Sequence, residues 1–471
     1  MTIHINKGFG RRYSFLLVCC CVLVVSSCNN RQSDQRKPNV IVILIDDLGY
    51  ADIGCYGSAV NQTPEIDKLA KNGMLLTDYH ANGPMCTPTR ISLLTGLYPH
   101  RLGAYFETAL DDMAHQNIGL PLAIPTVASI FKEADNYKTA MFGKWHLGYQ
   151  PPFLPTSYGF EHFKGLLAGD GDHHTHINRS GKEDWWHDEQ PVLESGYSVD
   201  LITDHSVAFI RNNQHQPFFL YVSHLAIHFP WQGPDDPGHR IAGNDYRQDK
   251  WGVIADRSDV SSYVKAMVEA VDQSVGKIIA ELKALGLEEN TLVVFTSDNG
   301  GYIEYPDKDG DFKHISDNGE FRGQKGQLYE GGHRVPFIAS WPKKIPEGTK
   351  NNSLVMSMDL VPTLMHLAGI SIPDDVSFDG IDVSTVLTAN QEVESRTVFW
   401  KRGDQFSVRE SGWKLVQAER GLTELYNLAH DPRERNNIIA QHPEMASEMM
   451  DQYAFWLMEM NTSAARWDTG K

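Results

Sequence analysis

The sequence predicts an α/β protein, with a large mixed, mostly parallel sheet sandwiched by helices and a smaller C-terminal α+β subdomain. Three observations predict it. Residues 40–45 (Val-Ile-Val-Ile-Leu-Ile) and 291–296 (Thr-Leu-Val-Val-Phe-Thr) are near-continuous apolar runs, the pattern of strands buried on both faces. Val264, Met267, Val268, Val271, Val275, Ile278, Ile279 and Leu282 recur at helical spacing before Gly286, as a helix packed on a sheet requires. Past about Val386 the pattern changes to short strands at 397–401, 413–416 and 424–426, with a closing helix over 443–458. A chain of 471 residues, 41% hydrophobic and 22% charged, is long and apolar enough for both units.

Taken in order, Lys7, Arg11 and Arg12 precede an apolar run over about 15–25, then Ser26-Ser27-Cys28. This reads as an export signal, and the run is too short to favour a membrane span. Val25-Ser26-Ser27-Cys28 resembles a bacterial lipoprotein signal, in which the cysteine is acylated and becomes the N-terminus. The expected organisation is a signal peptide at 1–27, a tether at 28–37, a catalytic domain at 38–385 and the C-terminal subdomain at 386–471. The expected location is the periplasm or cell surface, with membrane contact only through lipid on Cys28.

Of six cysteines, Cys19, Cys20 and Cys21 fall in the signal and Cys28 carries lipid, which leaves Cys55 and Cys86. Either these two form a bridge or Cys86, set among Pro and Thr, has a chemical use. The formal charge of −18 becomes more negative once the signal cations are removed, so nucleic acid is excluded as a partner. Cations that hold an anionic substrate must then be concentrated in a pocket.

The run at 40–45 ends in Asp46-Asp47-Leu48-Gly49, and that at 291–296 leads through Ser297 to Asp298-Asn299-Gly300-Gly301. Open α/β sheets place ligands at the C-terminal ends of strands, so two chain-distant ends that deliver oxygen ligands point to one shared metal site. A helix over 126–134 and a strand over 138–142 lead to Gly143-Lys144-Trp145-His146-Leu147-Gly148, where alternation puts Lys144 and His146 on one face. The segment 151–198, rich in Gly, His, Asp and Trp, reads as a long excursion from the sheet. A strand over 218–222 returns and ends in Ser223-His224-Leu225-Ala226-Ile227-His228-Phe229-Pro230. Lys325, Glu330-Gly331-Gly332 and Arg334 precede another strand at 337–341.

Gly83-Pro84-Met85-Cys86-Thr87-Pro88-Thr89-Arg90 opens a helix, with Cys86 at its positive end and Arg90 one turn on, a geometry that suits an anion. Cys86-x-Pro88-x-Arg90 resembles the maturation signature of the formylglycine-dependent sulfatases. The ordered set of motifs, from Asp-Asp-Leu-Gly through Gly-Lys-Trp-His-Leu-Gly, His-x-Pro, Ser-Asp-Asn-Gly-Gly and Lys-Gly-x-x-x-Glu-Gly-Gly-x-Arg-x-Pro to Glu-Leu-Tyr-Asn-Leu, resembles that family over nearly the whole mature chain. The resemblance implies an alkaline-phosphatase-like fold and sulfate-ester hydrolysis. It implies that a formylglycine-generating enzyme oxidises Cys86 and that one hydroxyl of the aldehyde hydrate attacks sulfur, the other later expelling sulfate.

On the same resemblance Asp46, Asp47, Asp298 and Asn299, with residue 86 beside them, hold one divalent cation. Hard oxygen ligands favour Ca²⁺, with Mg²⁺ the alternative. Asp298 helps activate the nucleophile, Arg90 steadies it and His146 assists the collapse that releases sulfate. Lys144, Lys325 and His228 contact the sulfate, with His228 as acid for the leaving oxygen. His224 is either a substrate contact or packing.

In the 151–198 excursion, Asp170, Asp172, His173, His174, His176, Arg179, Trp185, Trp186 and His187 can hydrogen-bond hydroxyls or stack on a sugar. Asp170 and His173 are the expected sugar contacts, and the His/Asp cluster is also weighed as a second metal site. Leu154-Pro155-Thr156, Gly159-Phe160, Gly165 and Gly169-Asp170 resemble sulfatases that remove 4-linked sulfate from N-acetylgalactosamine. The expected substrate is therefore a sulfated polysaccharide or glycosaminoglycan fragment attacked at a chain end, first at 4-O-sulfated galactose or N-acetylgalactosamine. The rivals are a broad arylsulfatase, a phosphoester hydrolase of the same superfamily and an unmatured sulfated-glycan binder.

Overall fold

The first apolar run forms β1 (Asn39–Ile45), all seven residues of which are buried. Val40, Val42 and Leu44 belong to one apolar core and Ile41, Ile43 and Ile45 to the other, so neither face of this strand can carry polar side chains. The computed structural model describes residues 36–134, 136–255, 257–307 and 310–466. The expected signal segment and Cys28 lie outside these residues.

Helix α1 (Pro64–Lys71), the short strands β2 (Met74–Leu76) and β3 (Tyr79–His80), helices α2 (Cys86–Thr95) and α3 (Val127–Glu133), and strand β4 (Lys138–Gly143) follow. Next come β5 (His162–Gly165), β6 (Trp186–His187), β7 (Gln190–Pro191), α4 (Ser198–Asn212) and β8 (Phe218–His224). The long periodic segment is helix α5 (Val260–Ala284), whose Val264, Met267, Val268, Val271, Val275, Ile278 and Leu282 are buried in the second core. Strand β9 (Thr291–Ser297), the hairpin β10 (Glu304–Asp307) and β11 (Gly310–Lys313), and the one-turn helix α6 (Glu330–His333) precede β12 (Phe337–Ser340). Strands β13 (Thr349–Asn351) and β14 (Val355–Met356) and helices α7 (Leu360–Ala368) and α8 (Ser384–Ala389) complete the larger part.

The main sheet has ten strands in the order β13-β2-β12-β9-β1-β8-β4-β5-β6-β7. Its centre is parallel, from β9 through β1, β8 and β4 to β5, and β12 runs antiparallel to β9, which makes the sheet mixed. Ile45 lies opposite both His224 and Ser297, and Gly143 lies opposite Ser223. Four chain-distant strands thus finish level, and whatever follows them is brought to one edge. This register positions the site.

Two expectations are corrected. The 151–198 segment leaves the sheet only in part: β5 pairs with β4, and β6 and β7 extend the same edge, with residues 166–185 looping out between β5 and β6. These strands are only two to four residues long, too short for an apolar alternation to show. The boundary expected between 385 and 386 falls inside α8.

The C-terminal sheet is antiparallel, in the order β15 (Thr397–Arg402), β16 (Gln405–Glu410), β17 (Trp413–Glu419), β18 (Leu422–Asn427), and is covered by α9 (Pro443–Ala464). Strand β16 escaped the sequence reading because only Phe406 and Val408 are apolar in it, and Ser407 and Arg409 occupy its other face. Arg409 is nevertheless buried, because it donates to Asp78 Oδ1 at 2.8 Å and to Glu330 Oε2 at 3.3 Å, while Lys414 donates to Glu330 Oε1 at 2.9 Å. These buried ion pairs fasten the small sheet to the large one, and the described residues from Lys37 onward form one compact unit. Among the described residues no helix is long and apolar enough to cross a membrane.

Candidate active site

Asp46 and Asp47 follow β1 directly, Lys144 follows β4, and Asp298 and Asn299 follow β9, so the level strand ends bring their side chains together. Glycine is required twice for this closeness. A Cβ on Gly143 would lie 1.8 Å from Ser223 O, and one on Gly300 would lie 1.9 Å from Gly331 O. Cys86 is the first residue of α2 and is 1% exposed, with Arg90 one turn on.

Cys86 Sγ lies 3.3 Å from Asp46 Oδ1, 3.3 Å from Lys325 Nζ and 3.6 Å from Lys144 Nζ. Lys144 is ion-paired with Asp46, and Lys325 Nζ donates to Asp47 Oδ1 at 2.5 Å. Arg90 Nε donates to Asp298 Oδ2 at 2.9 Å, and its Nη1 donates to Lys144 O at 2.8 Å and Ser223 Oγ at 2.7 Å. Three carboxylates and three cations therefore surround one sulfur in a buried space. The remaining acidity of the chain stays outside it.

Burial, followed by Asp298 and Asp46, pushes the Cys86 thiol well above its ordinary value. An unmodified Cys86 is thus a protonated thiol rather than a reactive thiolate. Burial with Asp298 alongside also pushes the Asp46 carboxyl up to about 8, against the pull of Lys144. Burial acts on Asp298 in the same sense, but Arg90, Lys144 and Lys325 outweigh it and hold that carboxyl below the usual range. Lys325 is held cationic well above its usual range because Asp47 and its other neighbours outweigh burial.

One ligand atom from each of Asp46, Asp47, Cys86 and Asp298 lies within 4.8 Å of the others. Asn299 Nδ2 donates to Asp47 Oδ1 at 2.9 Å, while Asn299 Oδ1 is buried with no partner among the described residues. An orphaned amide oxygen beside three converging carboxylates fits a hard divalent cation, and a ring nitrogen of His228 also lies within 4.8 Å of ligand atoms of Asp46 and Cys86.

His146 Nε2 donates to Leu110 O at 2.9 Å, and its buried Nδ1 has no partner among the described residues. Burial, then Lys144 and Arg90, keep the ring neutral, so Nδ1 is a free acceptor. His146 has φ of 61°, outside the extended chain assumed in the alternation argument, so its placement comes from a left-handed turn instead. His228 Nδ1 donates to Phe229 O at 2.7 Å and its Nε2 lies 3.9 Å from Asp47 Oδ2. Burial, Lys325 and Lys144 depress it well below the ordinary histidine value.

Three expected substrate residues are placed elsewhere. Asp170 is 1% exposed and accepts from Arg179 Nε and Arg240 Nη2, each at 3.1 Å. His173 is fully buried between Ser198 Oγ at 2.8 Å and His228 O at 3.1 Å. His224 Nε2 lies 3.0 Å from Ser274 Oγ of α5, while its buried Nδ1 has no partner among the described residues. None of the three faces an open space, because their partners come from segments that sequence spacing does not reveal. The His173, His174, His176, Asp170 and Asp172 set does not converge as metal ligands, since Asp172 accepts backbone N–H groups of residues 174, 175, 239 and 240 instead. Trp185 is buried and donates to Glu194, leaving only the half-buried Trp186 near the surface. Cys55 and Cys86 are both free thiols, so no bridge joins them.

Ser223 is a site residue that sequence reasoning missed. It accepts from Arg90 and donates to Lys144 O at 2.7 Å, which couples the ends of β4 and β8 to α2. Its only signal is its position at the end of a buried strand.

A family model described as Sulfatase matches residues 38–370, and one described as N-sulphoglucosamine sulphohydrolase, C-terminal, matches 319–458. The chain is 34% identical to the N-acetylgalactosamine-6-sulfatase of Canis lupus familiaris over 78% of this chain and 69% of that protein. It is 28% identical to the N-acetylgalactosamine-6-O-sulfatase of Bacteroides thetaiotaomicron over 88% of this chain and 92% of that one. The crystal structure of Ps i-CgsB in complex with k-i-k-neocarrahexaose matches with a TM-score of 0.76 at 28% identity, covering 90% of this chain and 93% of the other.

Proposed function

The chain belongs to the sulfatase family and is a sulfuric ester hydrolase acting on carbohydrate sulfates, and from that premise we propose that it removes the 6-O-sulfate of a terminal N-acetylgalactosamine or galactose, with Cys86 matured to formylglycine. The observation that carries the catalytic reading is the convergence of Asp46, Asp47, Asp298, Lys144 and Lys325 on Cys86. The preference for O6 over the expected O4 rests on the names of the relatives and on depth. Cys86 is 1% exposed, and a primary sulfate on its CH₂ arm reaches such a position more readily than a secondary one on the ring.

Asp46, Asp47, Asp298 and Asn299 would hold one divalent cation, Ca²⁺ first and Mg²⁺ second, which when bound draws charge from a sulfate oxygen. Formylglycine hydrate at position 86 would supply a hydroxyl nucleophile and a second hydroxyl for releasing sulfate. Arg90, ion-paired with Asp298, orients the carboxylate that accepts the nucleophile's proton. Lys144 and Lys325 bind the sulfate oxygens and stabilise charge that grows in the transition state. His146 Nδ1, a neutral acceptor, can take the proton released when sulfate is expelled. His228 can act as acid only when it carries a proton on Nε2, and the negative charge of a bound sulfate ester favours that form.

The test is a panel of N-acetylgalactosamine 6-sulfate, its 4-sulfate and an aryl sulfate, run on protein whose Cys86 has been examined by peptide mass spectrometry. Turnover of the 6-sulfate by formylglycine-bearing protein, and none by Cys86→Ala, is expected. Preference for the 4-sulfate would overturn the O6 assignment, and full activity with an intact thiol would overturn the nucleophile. We further propose that the protein is exported and lipid-anchored at Cys28, a reading supported by the basic, apolar and Ser-Ser-Cys series before it.

A further inference from the structure

Next to His228 the structure builds a second cationic group that the hydrolytic chemistry does not use. The His228 and Phe229 rings lie 4.1 Å apart, and the Phe229 ring has two cations around it, Arg179 at 5.7 Å and Lys250 Nζ at 5.1 Å. Arg240, 1% exposed, ties the two together: its Nη2 donates at 3.1 Å both to Asp170 Oδ2 and to Lys250 O. Asp170 in turn accepts from Arg179 Nε at 3.1 Å. Asp170, expected to touch sugar, instead holds the arginine that can.

Arg179, Arg240 and Lys250 gather around one buried carboxylate, Asp170. Asp170 is shared by two guanidiniums, and both Nη groups of Arg179 have no hydrogen-bond partner among the described residues, although the side chain is 27% exposed. Lys250, half-buried, forms no ion pair among the described residues; it donates to Tyr305 Oη at 3.1 Å and lies against the Trp251 and Tyr305 rings. Asp111 and Asp112 also lie near Arg179 and act on its charge, yet neither bonds to its Nη groups: Asp111 accepts the Met113 and Ala114 amides and Asp112 accepts from Ser180 Oγ.

We propose that Arg179 and Lys250 form an anion subsite beside His228, which takes a second sulfate or a uronate carboxylate carried by the same saccharide as the ester being hydrolysed. The inference rests on the carbohydrate sulfatase reading above. His228 is the residue assigned to the leaving oxygen, so this subsite lies on the sugar side of the scissile bond. Guanidinium Nη groups held in place by a buried carboxylate suit a planar or tetrahedral oxyanion.

The experiment compares kcat/KM for N-acetylgalactosamine 6-sulfate, its 4,6-disulfate and the 6-sulfated sugar linked to a hexuronate, in wild type, Arg179→Gln, Arg179→Lys and Lys250→Ala. Wild type should favour one dianionic substrate over the monosulfate by about tenfold, the effect of one charge-assisted contact. Which one it favours identifies the source of the anion. That ratio should fall toward one in Arg179→Gln and Lys250→Ala and be partly kept in Arg179→Lys, and raised salt should lower it in wild type. If Arg179→Gln does not fold, Lys250→Ala and the salt titration decide. A wild-type ratio of one or less for both dianions, or a ratio unchanged in the variants, overturns the subsite while leaving the sulfatase reading standing. Hydrolysis of an aryl sulfate with none of the sugars turned over overturns both.

Discussion

Lys325 Nζ lies 3.3 Å from Cys86 Sγ, and the same ammonium donates to Asp47 Oδ1 at 2.5 Å, so one buried cation spans the nucleophile position and the candidate metal ligands. A group so placed can hold a sulfate oxygen and stabilise the charge that develops as sulfur is attacked. Lys325→Met should lower kcat about 10²–10³-fold on sugar and aryl sulfates alike, because the contact is with the sulfate and not the alcohol. Steady-state kinetics check this. A change confined to KM would mean that Lys325 binds ground state and transition state equally.

The orphaned Asn299 Oδ1 among three carboxylates leads to a metal prediction with its own readout. Purified protein should contain roughly one Ca²⁺ or Mg²⁺ per chain, and chelation should lower both activity and Tm, since a ligand of the folded state stabilises by mass action. Asn299→Ala should weaken binding measured by calorimetry. Retention of the ion by Asp298→Ala after exhaustive chelation would sink the ligand assignment.

Away from the site, Glu194 Oε2 accepts from Trp185 Nε1 at 2.7 Å, His187 Nε2 at 2.8 Å and His205 Nε2 at 3.0 Å. Burial alone would raise this carboxyl, but the three donors bring it down to about 2. A depressed carboxyl contributes stability above its unfolded value of about 4.3 and loses it as pH falls toward the folded value. Glu194→Gln should therefore lower Tm by about 1–2 °C at pH 7, and the gap should narrow between about pH 4.3 and 2. A gap that widens in acid would show that the carboxylate is not stabilised by these donors.

For the anchor, metabolic labelling with a fatty acid should mark the wild-type protein, and Cys28→Ala should release it from membranes. Unlabelled, soluble wild-type protein with a different N-terminus would instead indicate a plain cleaved signal.

By itself the sequence determined the strands that organise the fold and the residues at their ends. The run at 40–45 can only be buried on both faces, and a chain that follows it with Asp46-Asp47 must deliver two carboxylates at the sheet's edge. The same holds for Asp298 and Asn299 after β9, and the Cys86-to-Arg90 spacing places both residues on one side of α2. These are local properties, set by periodicities of two and 3.6 residues.

The tertiary structure alone decided which polar residues converge on Cys86 and which pair elsewhere. Asp170, His173 and His224 have the side chains of a sugar site, yet each is buried against a partner brought from 9 to 70 residues away: Arg179 and Arg240, Ser198 and His228, Ser274. Burial of Arg409 and Lys414 in the small sheet likewise depends on Asp78 and Glu330, 331 and 84 residues distant. No local pattern encodes such pairings. A charged or imidazole side chain reads the same in sequence whether its partner is water, substrate or a buried carboxylate, and only the packing that excludes water distinguishes them.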